Sequence, residues 1–439
     1  MDSKISKLGD SAFFVTINSF RNQPATKMKW SILGCFSSKF QSIIITFFKF
    51  AYKLCFSPFQ IIQTSDDHFI TKQWLPQQLI CIAGMVSSVF FRTIEVRAEF
   101  QKGDTSWSPV LYFKLFHRLL NLVFNITIWI TVWRKRQMFL DMVEFIQIKI
   151  KCASFDKLQR RIAKVMALLC AFTTSAVIIS FIFGTDIFPA SQWNPTFLYK
   201  CFAQHIKSLS FCIERRDCNE TIISEINDLS TIETIMTITY TFSHFFRKVM
   251  GLCEELLILI GPLTLWVVVK DFIKNVLRDK NYDDVICNEE SWSYVSAKYN
   301  DLKTFTDLVN RTFGPLLLSY TLVALFYFSI YLDEFVTADD ILVKIKFLIY
   351  YVLIISTFTI SAEIVREIGK LGPWISNNLN KSLADMSQKE LTVVLYELSS
   401  NRIGMSACGL FTVTYSVVAQ MTGVVVTYFI ITVQYRNPK

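Results

Sequence analysis

Two adjacent carboxylates, Glu254 and Glu255, stand within the first two turns of an apolar run that begins at Val249. Carboxylates in such a run are costly to bury and by default mark a functional site. They can offer hydrogen bonds to a ligand entering from one end of the run. They can instead pair with Arg247, Lys248 or the basic end of the run at 110–133. Both uses stay open, and one arrangement can serve both, since a pocket needs its carboxylates held. A second polar set lies in that earlier run. His117, Asn121 and Asn125 recur every four residues and so share one helical face, with Lys114 one turn away. Such a face suits a pocket wall, or a hydrogen-bonded seam between helices. Tyr320, Tyr327 and Tyr331 line one face of a later run, and Tyr350 and Tyr351 follow in the next. Tyrosine offers a ring face and a hydroxyl, which fits sugars and flat alkaloid-like molecules alike.

The last apolar stretch, Gly404 to Gln434, carries no formally charged residue. Its Gln420, Thr427 and Gln434 repeat every seven residues, drifting by only about 20° per step around a helix. A polar stripe on an apolar span must face protein or water. It therefore bonds to neighbouring helices or lines a pore.

Catalysis has little to work with. The four His are His68, His117, His205 and His244, without a His-x-x-x-His pair, and no Gly-rich phosphate loop or Gly-x-Ser-x-Gly elbow occurs. No Cys-x-x-Cys pair points to a metal or redox centre. No enzyme, cofactor or metal is expected.

The elements that must position these groups are membrane spans. The chain is 52% hydrophobic with forty Phe but only 18% charged, where soluble domains carry about 25%. The net charge of +9 sits at the ends of apolar runs, which argues against nucleic acid. The expected fold class is all-α, with seven transmembrane helices at Leu75–Phe91, Val110–Trp133, Ile162–Phe183, Val249–Val269, Leu316–Leu332, Val343–Ala362 and Gly404–Val433. Gln41 to Ile62 reads as an amphipathic helix packed near the cytoplasmic surface. Were it to cross, there would be eight spans.

Lys and Arg number twenty-eight in segments 1–74, 134–161, 271–313 and 366–404, against nine in the alternate set. That bias puts the N-terminus inside and the C-terminus outside. A G-protein-coupled receptor has the opposite orientation and an Asn-Pro-x-x-Tyr segment in its last span, which is missing here. A secondary transporter predicts interrupted helices in paired halves, and no such symmetry is visible. The outer loop 185–232 carries the glycosylation sequon Asn219-Glu220-Thr221. It also carries Cys201, Cys212 and Cys218, among which one bridge can form, or all three can stay free.

The closing run Thr427-Tyr428-Phe429-Ile430-Ile431-Thr432-Val433-Gln434-Tyr435 resembles the C-terminal signature of the insect gustatory receptors. There a Thr-Tyr pair, five mostly apolar residues and a Gln-Phe pair end the last span; Tyr435 replaces the Phe here. Lys53 to Pro58 resembles the segment before that family's first span, without its usual Gly. Tyr299 to Leu302, leading into Leu316 to Ser319, resembles the run into its fifth. The likeness covers residues 290–435 well and the rest by span order. It implies a ligand-gated cation channel in the plasma membrane of chemosensory neurons, a tetramer of this chain or related subunits. The seventh helix would line the pore, with Gln434, Tyr435, Ile431 and Thr427 as pore and gate residues.

The expected partners are a small-molecule tastant, membrane lipid and permeating cations. The tastant would be held by His117, Asn121, Glu254, Glu255, Tyr320, Tyr327 and Tyr350. Sugar-sensing members often place an acidic residue after Thr-Tyr, where this chain has Phe429, which favours a bitter or other small molecule over a sugar. The expected layout is a cytoplasmic segment 1–74 and four spans within 75–270. Anchor helices 271–313, two spans in 314–365, an anchor segment 366–403 and the pore helix with its tail, 404–439, complete it.

Overall fold

Two very long helices dominate the chain. α5, Thr231–Arg278, has 48 residues, and α6, Glu289–Thr337, has 49. At 1.5 Å per residue each is about 70 Å long, more than twice the hydrocarbon thickness of a bilayer. Each therefore reaches well beyond any membrane it crosses. The computed structural model describes residues 42–64, 68–102, 109–150, 161–165, 168, 231–278, 289–337, 341–379, 385–400 and 403–436.

The other described helices are α1 (Ile43–Lys53), α2 (Leu75–Lys102), α3 (Pro109–Arg134), α4 (Arg136–Phe145), α7 (Ile341–Gly369), α8 (Leu371–Leu379), α9 (Asp385–Ser399) and α10 (Tyr415–Arg436). A π-helical turn at Ile146–Ile150 follows α4. Five described helices are long and apolar enough to span a membrane, and Tyr415–Ile431 is a shorter apolar helix. The expected third span, Ile162–Phe183, lies outside the described residues apart from 162–165 and Leu168.

α5 is the centre of the bundle. From Cys253 to Leu265 every residue is buried, as expected of a helix that is apolar all round. Close approach is made through glycine. A Cβ at Gly84 of α2 would lie 2.5 Å from the Phe246 ring of α5, and one at Gly261 would lie 2.7 Å from Phe313 of α6. Pro262, next to Gly261, interrupts the hydrogen-bond ladder where α6 packs. Pro315 does the same in α6, freeing the carbonyl of Arg311 four residues earlier. Lys135, at the corner between α3 and α4, donates its Nζ to that carbonyl and to Thr312 O at 3.4 Å. One lysine thus satisfies the break and ties α3 to α6.

Three sequence expectations need correction. The segment 41–62 is not one continuous helix. α1 ends at Lys53 and is buried on nearly every side, with Phe47 and Phe48 inside. Phe48 stacks on Phe59 at 4.9 Å and meets Phe139 of α4 at 4.8 Å. At 11 residues α1 is about 16 Å long, too short to cross. Cys55 ends it in the left-handed conformation (φ 59°) that favours glycine.

Second, the chain is mostly helical rather than purely so. β1 (Phe59–Gln63) pairs antiparallel with β2 (Phe69–Gln73), placing Ile61 opposite Thr71. A smaller ribbon joins β3 (Ser406–Ala407) to β4 (Phe411–Thr412). Third, that smaller ribbon occupies the first part of the expected seventh span, so α10 starts at Tyr415 and not at Gly404. Apolar content alone does not separate a buried hairpin from a helix start.

This hairpin is locked onto α6. Asn310 Nδ2 donates to Gly404 O at 2.9 Å, and Ser406 N donates to Asn310 Oδ1 at 2.9 Å. A Cβ at Gly314 would lie 3.0 Å from Ser406 O and 3.2 Å from Cys408 N, both backbone atoms that cannot swing away. Gly314→Ala should therefore lower the thermal midpoint of the purified protein in detergent. Gly251→Ala, at a helical position with nothing within 4 Å, should raise stability by roughly 0.5–1 kcal/mol. Equal shifts for both would contradict the packing described here.

Candidate functional site

Adjacent residues on a helix point about 100° apart, and α5 uses this to aim its two carboxylates at different neighbours. Glu255 accepts a hydrogen bond from the Tyr320 hydroxyl of α6 and another from Tyr350 of α7. Glu254 faces α3. With its amide nitrogen turned to the carboxylate, Asn125 donates to both Glu254 oxygens at 3.1 Å. That orientation also sets the same nitrogen 3.2 Å from Asn121 Oδ1. Glu254 and Glu255 are only 4% and 7% exposed. Neither has an ion pair within 4 Å among the described residues; Arg92 of α2 lies within electrostatic reach of Glu254. The pairing with Arg247 raised by the sequence is not found: its guanidinium lies over the Tyr240 ring, 5.7 Å from the centroid. The side chain of Lys248 lies outside the described set.

One level away along α3, the His117 ring lies 5.9 Å from Tyr327 and 5.6 Å from Tyr331. Tyr327 meets Tyr331 at 4.9 Å and Tyr350 at 4.5 Å, and Phe347 flanks it at 5.7 Å. His117 is 5% exposed, yet neither ring nitrogen has a hydrogen-bond partner among the described residues. A buried imidazole with two unmet positions is the kind of group that a ligand hydroxyl or an ordered water satisfies. Arg92 is in electrostatic reach of this ring too.

The helices thus bring His117, Asn121, Glu254, Glu255, Tyr320, Tyr327 and Tyr350 into one neighbourhood between α3, α5, α6 and α7. Tyr351 turns outward and is 43% exposed. Arg92 lies beyond the expected first span, Leu75–Phe91, and joins this neighbourhood because α2 continues to Lys102. Its signal was present: no turn residue interrupts the run between Phe91 and Lys102.

The second set sits on α10. Gln420, Thr427 and Gln434 are all exposed, as are Ile430 and Ile431. Thr427 spends its hydroxyl hydrogen on Gly423 O at 2.8 Å within the same helix. The side chain of Tyr435 is outside the described set. No described side chain of α10 is fully buried, in contrast with α5. At its first residue the helix is tethered: the Tyr415 hydroxyl donates to Glu363 Oε2 of α7 at 2.7 Å, and Arg366 binds the other oxygen of that carboxylate. Sequence reasoning singled out neither this tether nor Asn310, because partners 52 and about 95 residues away leave no local pattern. Cys201, Cys212, Cys218 and Asn219 lie outside the described residues. Among the described residues no cluster of metal-ligating side chains occurs.

Two comparisons bear on this arrangement. The fold is similar to that of the insect olfactory receptor OR5 from Machilis hrabei, with a TM-score of 0.54 at 11% identity, covering 89% of this chain and 97% of that one. The same receptor in complex with eugenol aligns with a TM-score of 0.50 at 12% identity. No curated protein sequence matches significantly. Residues 218–436, which hold the carboxylate pair, both long helices and α10, match the model of the 7tm chemosensory receptors. The chain belongs to that family, the insect gustatory and odorant receptors, and is a multi-pass membrane receptor rather than an enzyme.

Proposed function

We propose that this protein is a gustatory receptor subunit, a tastant-gated, non-selective cation channel of chemosensory neurons. Four copies would surround one pore lined by α10, with the N-terminus inside and the C-terminus outside. The observation that carries the ligand site is the buried, unpartnered imidazole of His117, set among Tyr327 and Tyr331. A flat molecule with one or two hydroxyls would stack on the tyrosines and bond the imidazole. Sugar is the weaker reading. The carboxylate oxygens that would take sugar hydroxyls are already engaged by Tyr320, Tyr350 and Asn125. A small aromatic ligand also has a precedent in the eugenol complex of the olfactory receptor from Machilis hrabei.

The route from site to pore runs through α6 and α7. Both supply tyrosines to Glu255, and both hold the start of α10, through Asn310 and through Glu363. A ligand that repacks Tyr327 against Tyr350 therefore acts on the two helices that anchor the pore helix. It favours the open arrangement only by as much as it binds that arrangement more tightly. In the pore, an amide ring at Gln434 can replace water around a cation without fixed charge, so monovalent selectivity should be poor. The neighbouring Ile431 or Tyr435 ring would close by dewetting.

Four outcomes are expected. His117→Ala should raise the agonist concentration for half response roughly tenfold, about one hydrogen bond to ligand, with maximal calcium signal intact. Tyr320→Phe should instead cost about 1–3 kcal/mol of stability by leaving a Glu255 oxygen unmet, and should show first as lower surface expression. An unchanged dose-response curve for His117→Ala at normal surface level would remove the pocket assignment. Gln434→Glu should raise calcium permeability or block, read as a shifted reversal potential in mixed sodium and calcium solutions. Wild-type permeation ratios would mean that this face does not line the pore. Epitopes at the two ends check the orientation: on intact cells only one placed after Lys439 should be labelled.

A further inference from the structure

The end of α3 that joins α4 gathers positive charge the ligand site does not use. Arg134 and Arg136 are exposed on either side of Lys135, and Lys135 is committed to the Arg311 and Thr312 carbonyls. That contact brings α6, with the exposed Arg311, to the same corner. None of the three arginines has an ion pair or hydrogen bond from its side chain among the described residues. Asp307, one turn before Arg311, is not paired with it, and Asp141 takes a 3.0 Å hydrogen bond from Gln137 instead.

Charge alone would describe any inner membrane boundary, but here it closes an apolar stripe. Phe116, Leu119, Val123 and Ile130 of α3 are 41–57% exposed and recur at helical spacing. Arg134 is the next residue of that stripe, one turn beyond Ile130. Trp133, whose ring meets Trp129 at 5.2 Å in a tilted pair, stands at the same level, where interfacial aromatics gather. An apolar stripe capped by unpaired guanidiniums fits an acyl chain with a phosphate headgroup. We infer that Arg134, Arg136 and Arg311 form a site for an anionic phospholipid, of the class whose headgroup bears additional phosphates. Its occupancy would brace the α3–α6 corner that Lys135 holds from inside. The site rests on reading Arg134 as the cytoplasmic end of the span. It does not depend on the tastant or on the pore.

The test uses the full chain purified in neutral detergent and titrated with fluorescent phosphatidylinositol 4,5-bisphosphate. Phosphatidylcholine and soluble inositol trisphosphate serve as competitors. The triple variant Arg134→Gln, Arg136→Gln, Arg311→Gln should weaken binding on the order of a hundredfold, at about fivefold per basic residue. Where the triple variant is not monodisperse, Arg134→Gln and Arg311→Gln alone should each lose about fivefold. The control variant Arg161→Gln, Lys164→Gln, Lys274→Gln removes the same charge from other exposed positions and should bind as the wild type does. Equal losses in both triple variants would overturn the site in favour of diffuse attraction. Full displacement by inositol trisphosphate at the lipid's own concentration would overturn the lipid as occupant. Because binding is read directly, a silent channel leaves this result unaffected.

Discussion

Burying two carboxylates in the most enclosed of the described helices sets a condition that its neighbours must meet. An unmet carboxylate at that depth is costlier than most single packing defects. Glu254 and Glu255 are met without an ion pair among the described residues, by an amide from α3 and hydroxyls from α6 and α7. Each of those donors has short reach, so the three helices must keep close register around α5. The same requirement sets the tyrosine cluster beside His117, because Tyr350 serves Glu255 and packs on Tyr327. Stability and the proposed binding neighbourhood thus share one set of groups.

α10, the proposed pore helix, follows the opposite logic. α10 is fastened at one end and packs a half-buried edge of Val418, Met421 and Val425 on the core, with its other faces exposed, whereas α5 is enclosed from Cys253 to Leu265. A helix with apolar and polar residues exposed together is incomplete as a lone chain in water or lipid. The proposed tetramer completes it, with the polar seven-residue stripe toward the axis. Fastening at the joint gives such a helix a defined pivot. The hairpin at 404–412 cannot slide on α6 while Asn310 holds it at both Gly404 and Ser406. In the proposed mechanism, motion of α6 would reach α10 through this hairpin.

The breaks in the long helices are handled in the same local manner. Pro315 would leave a carbonyl bare at the level where α3 turns into α4, and a lysine from that turn covers it. Gly261 and Gly314 place flat contacts where side chains would hold the helices apart: Phe313 against α5, and the hairpin backbone against α6. Each device joins elements distant in sequence, which is why the bundle acts as a unit despite polar groups in its interior.

What the sequence alone determines here is periodic or compositional. Apolar length identifies the helices that can span a membrane, and seven-residue spacing puts Gln420, Thr427 and Gln434 on one face. Four-residue spacing does the same for His117, Asn121 and Asn125, and the closing Thr-Tyr and Gln-Tyr pairs carry the family resemblance. These signals are legible because each is written within a few turns of one segment. The tertiary structure decided which residue meets which. Glu254 and Glu255 adjoin in sequence yet serve different helices, since one residue step turns a side chain by about 100°. Tyr351 faces out while Tyr350 faces in for the same reason. The hairpin at 404–412 replaced an expected helix start because its polar backbone is satisfied by Asn310, nearly a hundred residues earlier. No window of the sequence contains both partners of that bond, so only the folded chain could show it.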